Sequence, residues 1–504
     1  MSMSSAMLSG TPSWEAPLTT RRMCRRAAGG VAALALALLA VPAPDQAGPS
    51  TGLLAVVSYD GALPTVSGVD VRTVLPAVGA AVVRADAEAL SRLAATDGVR
   101  GVVPDAPMRM TGGLAEKPSG GVLAPLGLGR EAGRPWSGSG VRVAVVDTGV
   151  SDSAALDRAS GRLVDAVDTR LVDDGGDPVD VTDRRSGSAP LDDDFGHGTF
   201  MASLVAGGPV PGSEGRSVGV APGATVLVVR VADADGTTSL SQVVAGLDWV
   251  AAHPDQVDVA SLSFGRERPG RGYGSDPLTD AVAAVQEAGV SVVVAAGNVA
   301  DEVSDPGFLP QVLTVGSADV RSGELSARSG SGRVAGVRKP DLVASGVSVL
   351  GVLPPDSVIA QEHPESRATG DLWLGSGTSQ ATAVTSGAVA LLLDRYPDAT
   401  PAQVKVTLRE AALALPERGT GEGLLQLGKG LCGEPDGTDG EGNDLTGTAD
   451  LNEPRWAANS WSANSWSANS WSANSWSANS WSANSWSANS WSANSWSSAG
   501  WGAP

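Results

Sequence analysis

The sequence has little of what several kinds of chemistry require. Only two cysteines, Cys24 and Cys432, occur in 504 residues, which excludes a disulfide scaffold and any cysteine-based zinc site. Three histidines, His197, His253 and His363, leave a short list for any reaction that needs an imidazole. His253 and His363 each precede a proline in polar surroundings and read as surface residues. Lysine is confined to Lys117, Lys339, Lys405 and Lys429, the other basic residues being arginine. Positive charge is outnumbered, 35 Lys and Arg against 55 Asp and Glu for a net charge of −20, which argues against a nucleic-acid binder. No apolar run reaches the roughly 20 residues of a membrane helix, so no transmembrane anchor is expected.

What is present supports a folded core, with 42% apolar and 18% charged residues, and the length suits several domains. Residues 1–47 read as an export signal, because Arg21, Arg22, Arg25 and Arg26 precede the apolar run Val31–Val41. Thr20-Arg21-Arg22 resembles a twin-arginine signal, leaving the export route open between two systems. Residues 48–114 form a small α+β unit, with strands at Leu53–Tyr59, Ala80–Arg84 and Val99–Val103 and a helix at Asp86–Ala95. From 115 to 428 apolar strands alternate with amphipathic helices, which predicts an α/β fold with a mostly parallel sheet. The strands are Val141–Val146, Thr225–Val231, Val257–Leu262, Val290–Ala295 and Val312–Val315; the helices are Ser239–Ala252, Leu278–Ala288 and Gln380–Asp394.

Residues 429–455 read as an acidic, glycine-rich linker, and its Asp436–Asp444 stretch lacks the spacing and closing glutamate of a helix-loop-helix calcium site. Residues 456–504 are a low-complexity tail of Ala-Asn-Ser-Trp-Ser repeats holding ten of the 14 tryptophans. A step of five residues aligns the tryptophans neither on a strand nor on a helix, so the tail reads as a flexible aromatic appendage or a device for cell-surface or glycan contact.

Four short motifs carry chemistry. Val143-Ala-Val-Val-Asp147-Thr-Gly149 sets an aspartate at the carboxyl end of an apolar strand. Phe195-Gly-His197-Gly-Thr199 opens a helical run with a histidine whose flanking glycines leave the imidazole unobstructed. Val292–Asn298 ends another strand on an amide, and Gly375-Ser-Gly377-Thr378-Ser379 opens the helical run that continues to Leu393. Singly, each has an ordinary alternative as a turn cap, a structural histidine, a loop amide or a helix N-cap. Together they supply an orienting carboxylate, a base, an oxyanion donor and a nucleophile. A serine hydroxyl is a weak nucleophile unless an imidazole takes its proton. The imidazole in turn needs a carboxylate to fix its tautomer and stabilise its cation.

Asp147-Thr-Gly, His197-Gly-Thr, Ala-Gly-Asn298 and Gly-Thr-Ser379, in that chain order, resemble the motifs of the subtilisin-like serine peptidases. The resemblance implies a three-layer α/β/α fold and a secreted serine endopeptidase, with Asp147, His197 and Ser379 as triad and Asn298 on the oxyanion. Ser263-Phe264-Gly265 resembles the family's substrate-lining strand and Asp235-Gly236-Thr237-Thr238 the opposing one, with a peptide adding between them as a β-strand. Phe264 and Ala295-Ala296-Gly297 imply an open, partly apolar pocket at the cleaved residue. The unit at 48–114 resembles an inhibitory propeptide whose C-terminal stretch fills the cleft until cut near Met108–Gly121. Phe200, Gln380 and Ala383-Val384 replace residues common in the family and point to altered pocket packing. Polar inserts around Asp173–Asp194 and Arg266–Arg271 are expected to reshape the cleft.

The implied partners are protein or peptide substrates and the chain's own propeptide. No cofactor is implied for the chemistry. Structural calcium is usual in the family, but no ligand set carries over to named residues. Two further readings are a catalytically silent protein of this fold that displays its Trp-rich tail, and a ligase in which a peptide amine outcompetes water.

Overall fold

The computed structural model describes residues 52–110, 113–114, 136–172, 176–181, 190–266, 276–334 and 336–427. The expected signal, acidic linker and Trp-rich tail lie outside them.

The N-terminal module is a four-stranded antiparallel sheet in the order Val69–Leu75, Ala80–Ala85, Leu53–Tyr59, Val99–Pro104, with one helix, Ala87–Ala94. Asp86 starts the helix by accepting from Ala89 N at 2.7 Å. Alternation along the strands gives the sheet two apolar faces. Ala55, Val57, Ala81 and Val83 pack on Leu90 and Leu93 of the module's own helix. Val56, Ala80 and Val82 face the other way and share a core with Leu247, Ala281 and Val285 of the main body. Two polar caps bind the same interface. The Asp248 carboxylate accepts from Ala77 N (2.7 Å) and Val78 N (3.1 Å), and Asp105 accepts from Ser241 N and Oγ, both at 2.8 Å. Charge-assisted bonds of this kind contribute roughly 1.5–3 kcal/mol each. Burial at the interface pushes the Asp248 carboxyl up, against the pull of those two N–H groups and of His253.

The main sheet runs in the order Glu324–Leu325, Leu313–Asp319, Ser291–Ala295, Val259–Leu262, Arg142–Asp147, Thr225–Arg230, Leu163–Asp168, Val179–Asp180, with Leu342–Ser345 also paired to Leu313–Asp319. Its interior pairings are all parallel and only the two short edge strands are antiparallel. Strands buried on both faces read as unbroken apolar runs, which is why Val143–Val146 and Val292–Ala295 were legible as strands. The helices His197–Ala206 and Thr378–Arg395 pack on one face and Leu240–Ala252 and Pro277–Glu287 on the other, giving the expected three layers. Local chemistry sets the helix starts: Ser239 and Gln242 form a capping box, and Asp276 caps a helix with Pro277 in its first turn.

One buried cluster ties the sheet's far edge. Lys339 is fully buried and its Nζ donates to Val312 O (3.1 Å), Thr314 Oγ1 (2.8 Å) and Asp341 Oδ2 (2.8 Å). Lys405 Nζ pairs with the other oxygen of Asp341 at 2.9 Å. Burial, with the Lys405 ammonium adding, brings Lys339 down from 10.5 to about 7 despite Asp341. The unfolded chain therefore binds more protons than the folded one between those values, so stability should rise with pH across the window from about 7 to 10.5. Lys339→Met is expected to flatten that rise in urea midpoints measured on the full chain. An unchanged slope would show that Lys339 is not its source.

Candidate active site

Asp147 ends the central strand Arg142–Asp147, and His197 is the first residue of the helix His197–Ala206. His197 Nδ1 lies 2.7 Å from Asp147 Oδ1, which also accepts from Thr148 N at 2.8 Å. The carboxylate can only accept, so Nδ1 carries the proton and the neutral ring presents a lone pair at Nε2. Nε2 is buried and makes no hydrogen bond to any described residue. Close approach of helix to strand depends on Gly198: a Cβ there would lie 3.1 Å from Asp147 Cβ and collide with Gly149 O.

Asp193 holds the same corner, and the sequence did not single it out. Its carboxylate accepts from Thr148 Oγ1, Gly196 N and Thr199 N, each at 2.7 Å, while Thr148 Oγ1 accepts from Gly198 N at 2.9 Å. The Asp147 turn and the His197 helix are thereby joined, with a carboxylate at the helix's positive end. Burial pushes the Asp193 carboxyl up, opposed by these donors, with Asp147 adding to the rise. The only sequence signal was three adjacent aspartates, Asp192 to Asp194, which did not distinguish the buried one.

Ser379 is the second residue of the helix Thr378–Arg395, preceded by Gly377 at φ 146°, a backbone region that favours glycine. Its hydroxyl donates to Ser263 O at 3.1 Å, and Ser263 Oγ returns a bond to Ser379 O at 3.4 Å. Asn298 follows the strand Ser291–Ala295, and its Oδ1 accepts from Thr378 N (3.0 Å) and Thr378 Oγ1 (3.1 Å). Because Thr378 N can only donate, these bonds fix which end of the Asn298 amide is oxygen and turn Nδ2 the other way. Asp147, His197 and Ser379 are all buried.

The end of the N-terminal module pairs with strands that flank Ser379. Pro107–Met110 is the middle strand of a three-stranded antiparallel sheet between Thr237–Ser239 and Phe264–Gly265. Arg109 pairs with both Thr237 and Gly265, Met110 with Phe264, and Met108 with Thr238. Beyond it, Gly113 pairs with Ser376 and Leu114 with Gly375. The segment thus runs along both sides of Ser379. Met108 and Met110 are buried in the core cluster that also holds Phe264. Gly236 does not pair with the segment; it closes the turn Asp233–Gly236 at φ 76°, where a Cβ would strike the Phe195 ring. Phe200 fills the space behind Gly351 and Gly375, next to Gln380. Among the described residues no group of three or more His, Cys, Asp or Glu side chains could hold a metal ion, so no calcium ligands are assigned.

The model of the subtilase family (peptidase S8) matches residues 138–454, more than half of the chain. Serine protease AprX of Bacillus subtilis is 33% identical over 293 residues, covering 55% of this chain and 62% of that protein. An extracellular serine proteinase of Thermus sp. (strain Rt41A) is 34% identical over 274 residues, covering 54% of this chain and 55% of that protein. The chain therefore spans less than two thirds of either relative. Fervidolysin from Fervidobacterium pennivorans, described as a keratinolytic enzyme related to subtilisin, superposes with a TM-score of 0.53. That match covers 78% of this chain and 62% of fervidolysin at 23% identity, which is a likeness of fold. Fold, motif order and sequence match converge, and the chain belongs to the subtilase family.

Proposed function

We propose that the chain is an exported serine endopeptidase made as a precursor that its own N-terminal module holds inactive. The observation that supports this best is the course of Pro107–Met110 and Gly113–Leu114 along both sides of Ser379, paired as an added β-strand. In the reaction, the Ser379 hydroxyl turns from Ser263 O to His197 Nε2 and gives up its proton there as Oγ attacks a peptide carbonyl. Asp147 keeps Nδ1–H in place and stabilises the imidazolium. Asn298 Nδ2 and the N–H groups at the helix start receive the negative oxygen, where one such donor typically contributes about 10²–10³ in rate. His197 then protonates the leaving amine, and water deprotonated by the same nitrogen hydrolyses the ester. This chemistry takes no cofactor.

Export is supported by the basic and apolar run at 21–41 and by the Thermus relative's designation as extracellular. No described helix is long and apolar enough to cross a membrane. Contact of the tail with a cell surface or glycan belongs to the same proposal, on the strength of its evenly spaced tryptophans.

The test follows the precursor itself. Wild type incubated alone should convert to two fragments by a cut after Thr111, Gly112 or Gly113, while Ser379→Ala stays whole. A wild-type chain that never converts, or a variant that converts equally, refutes the reading.

A further inference from the structure

Two loops bring Asp147 and His197 together: residues 148–152 leave the aspartate, and residues 190–196 lead to the histidine. They are bonded to one another along their length. Val150 N donates to Leu191 O at 2.9 Å, Asp193 N to Ser151 Oγ at 3.0 Å, and Ser151 N to Thr199 Oγ1 at 3.0 Å. Gly149 comes so close to Asp192 that a Cβ there would collide with its carbonyl. Arg158 stands where both loops meet the sheet.

Arg158 Nε and Nη2 donate to the two oxygens of Asp165, on the strand Leu163–Asp168, at 2.9 and 2.7 Å. Nη2 also donates to Val150 O at 2.8 Å. Nη1 donates to Asp152 Oδ1 at 2.9 Å and lies 3.3 Å from Asp192 Oδ1. Asp165 Oδ1 in turn accepts from Leu191 N at 3.2 Å. One planar cation thereby joins the first loop, the second loop and the sheet. Without it the three carboxylates would repel one another. Burial pushes the Asp192 carboxyl up; Arg158 opposes that rise, while Asp152, Asp165 and Asp194 add to it. Asp152 and Asp192 are exposed, and such pairs contribute little by themselves. Asp165 is buried, where a carboxylate stripped of its partner is strongly unfavourable. The buried bidentate pair fixes the guanidinium, and its remaining donors hold the two loops to that fixed point.

Building on the peptidase reading, we infer that Arg158 is a positioning residue: its guanidinium is the shared cation that clamps the loop after Asp147 to the loop before His197. The clamp keeps the base and its orienting carboxylate at their 2.7 Å separation. No reaction step passes through Arg158. Lysine is a poor substitute, because a single ammonium is a point charge and lacks the flat fork that reaches all these oxygens.

The test compares matured wild type, Arg158→Ala and Arg158→Lys on a tetrapeptide anilide that wild type cleaves, with active sites counted by fluorophosphonate so that kcat refers to folded enzyme. Arg158→Ala should lose about 10²-fold in kcat with KM nearly unchanged. Millimolar guanidinium chloride, which refills the place of the side chain, should return at least about tenfold of that loss and leave wild type as it was. Sodium chloride at the same ionic strength should return nothing. Arg158→Lys should stay near the alanine value. A wild-type kcat in either variant, a loss carried by KM, or a loss that guanidinium does not relieve overturns the inference. Should Arg158→Ala not fold, the kcat of Arg158→Lys decides. Wild type that turns over without any such dependence rejects the clamp alone, whereas wild type with neither turnover nor labelling rejects the peptidase reading with it.

Discussion

Replacing His197 with alanine is expected to slow precursor conversion about 10⁶-fold while the chain still folds. Among the described residues the side chain's one polar contact is with Asp147, and the start of its helix is held by other groups, Asp193 accepting from Gly196 N and Thr199 N. Removing the ring therefore takes away the base and little of the scaffold. Without Nε2 the Ser379 hydroxyl keeps its proton, donating it in a hydrogen bond to Ser263 O, and serine at neutral pH is too weak a nucleophile to attack an amide. The readout is the first-order rate of self-conversion of the full chain, compared at equal circular dichroism. A variant converting within about a hundredfold of wild type would remove His197 from the mechanism.

Asp147→Asn is expected to cost about 10⁴-fold in the same assay, although it preserves size and shape. Asp147 Oδ1 accepts from Thr148 N and His197 Nδ1, with Thr148 Oγ1 at a longer 3.3 Å, and Oδ2 is buried without a hydrogen bond to any described residue. If the asparagine keeps its oxygen on those donors, the negative charge is gone and two N–H bonds are buried unpaired. If it flips, an amide N–H faces the backbone N–H of Thr148 and drives the imidazole to the wrong tautomer. Both arrangements fail to support an imidazolium. The losses at Asp147 and His197 should not add, because the two act as a unit. A loss below about tenfold would mean that the carboxylate only fills space.

The candidate site residues were legible because their motifs fall at the ends of strands and the starts of helices. Asp147, His197, Asn298 and Ser379 each end an apolar run or open a helical one, beside glycines that allow the chain to turn. Central strands were legible for the related reason that two-sided burial demands unbroken apolar runs. Val69–Leu75 escaped because it is an edge strand: Asp70 and Arg72 interrupt it, the register shifts between Val71 and Thr73, and Val71 and Val74 are exposed. Pro401–Ala411, with a capping box at Thr400 and Gln403, carried a start signal that went unused.

What could not be read were relations across long stretches of chain. Asp193 differs from Asp192 and Asp194 only in what surrounds it after folding. Arg158 looks like any loop arginine until Asp152, Asp165 and Asp192 close on it. Likewise Met108 and Met110 belong by sequence to the end of a small module, yet they pack in the main body's core.

The most direct measurement is covalent labelling by a fluorophosphonate, which reacts only with an activated serine, on wild type and Ser379→Ala. Wild type should stay unlabelled as precursor, in which Ser379 is buried, and label one to one once the module is released. Ser379→Ala should label in neither state. Equal labelling of Ser379→Ala, or no labelling of wild type after release, would contradict the assignment of Ser379 as the nucleophile and the peptidase mechanism with it.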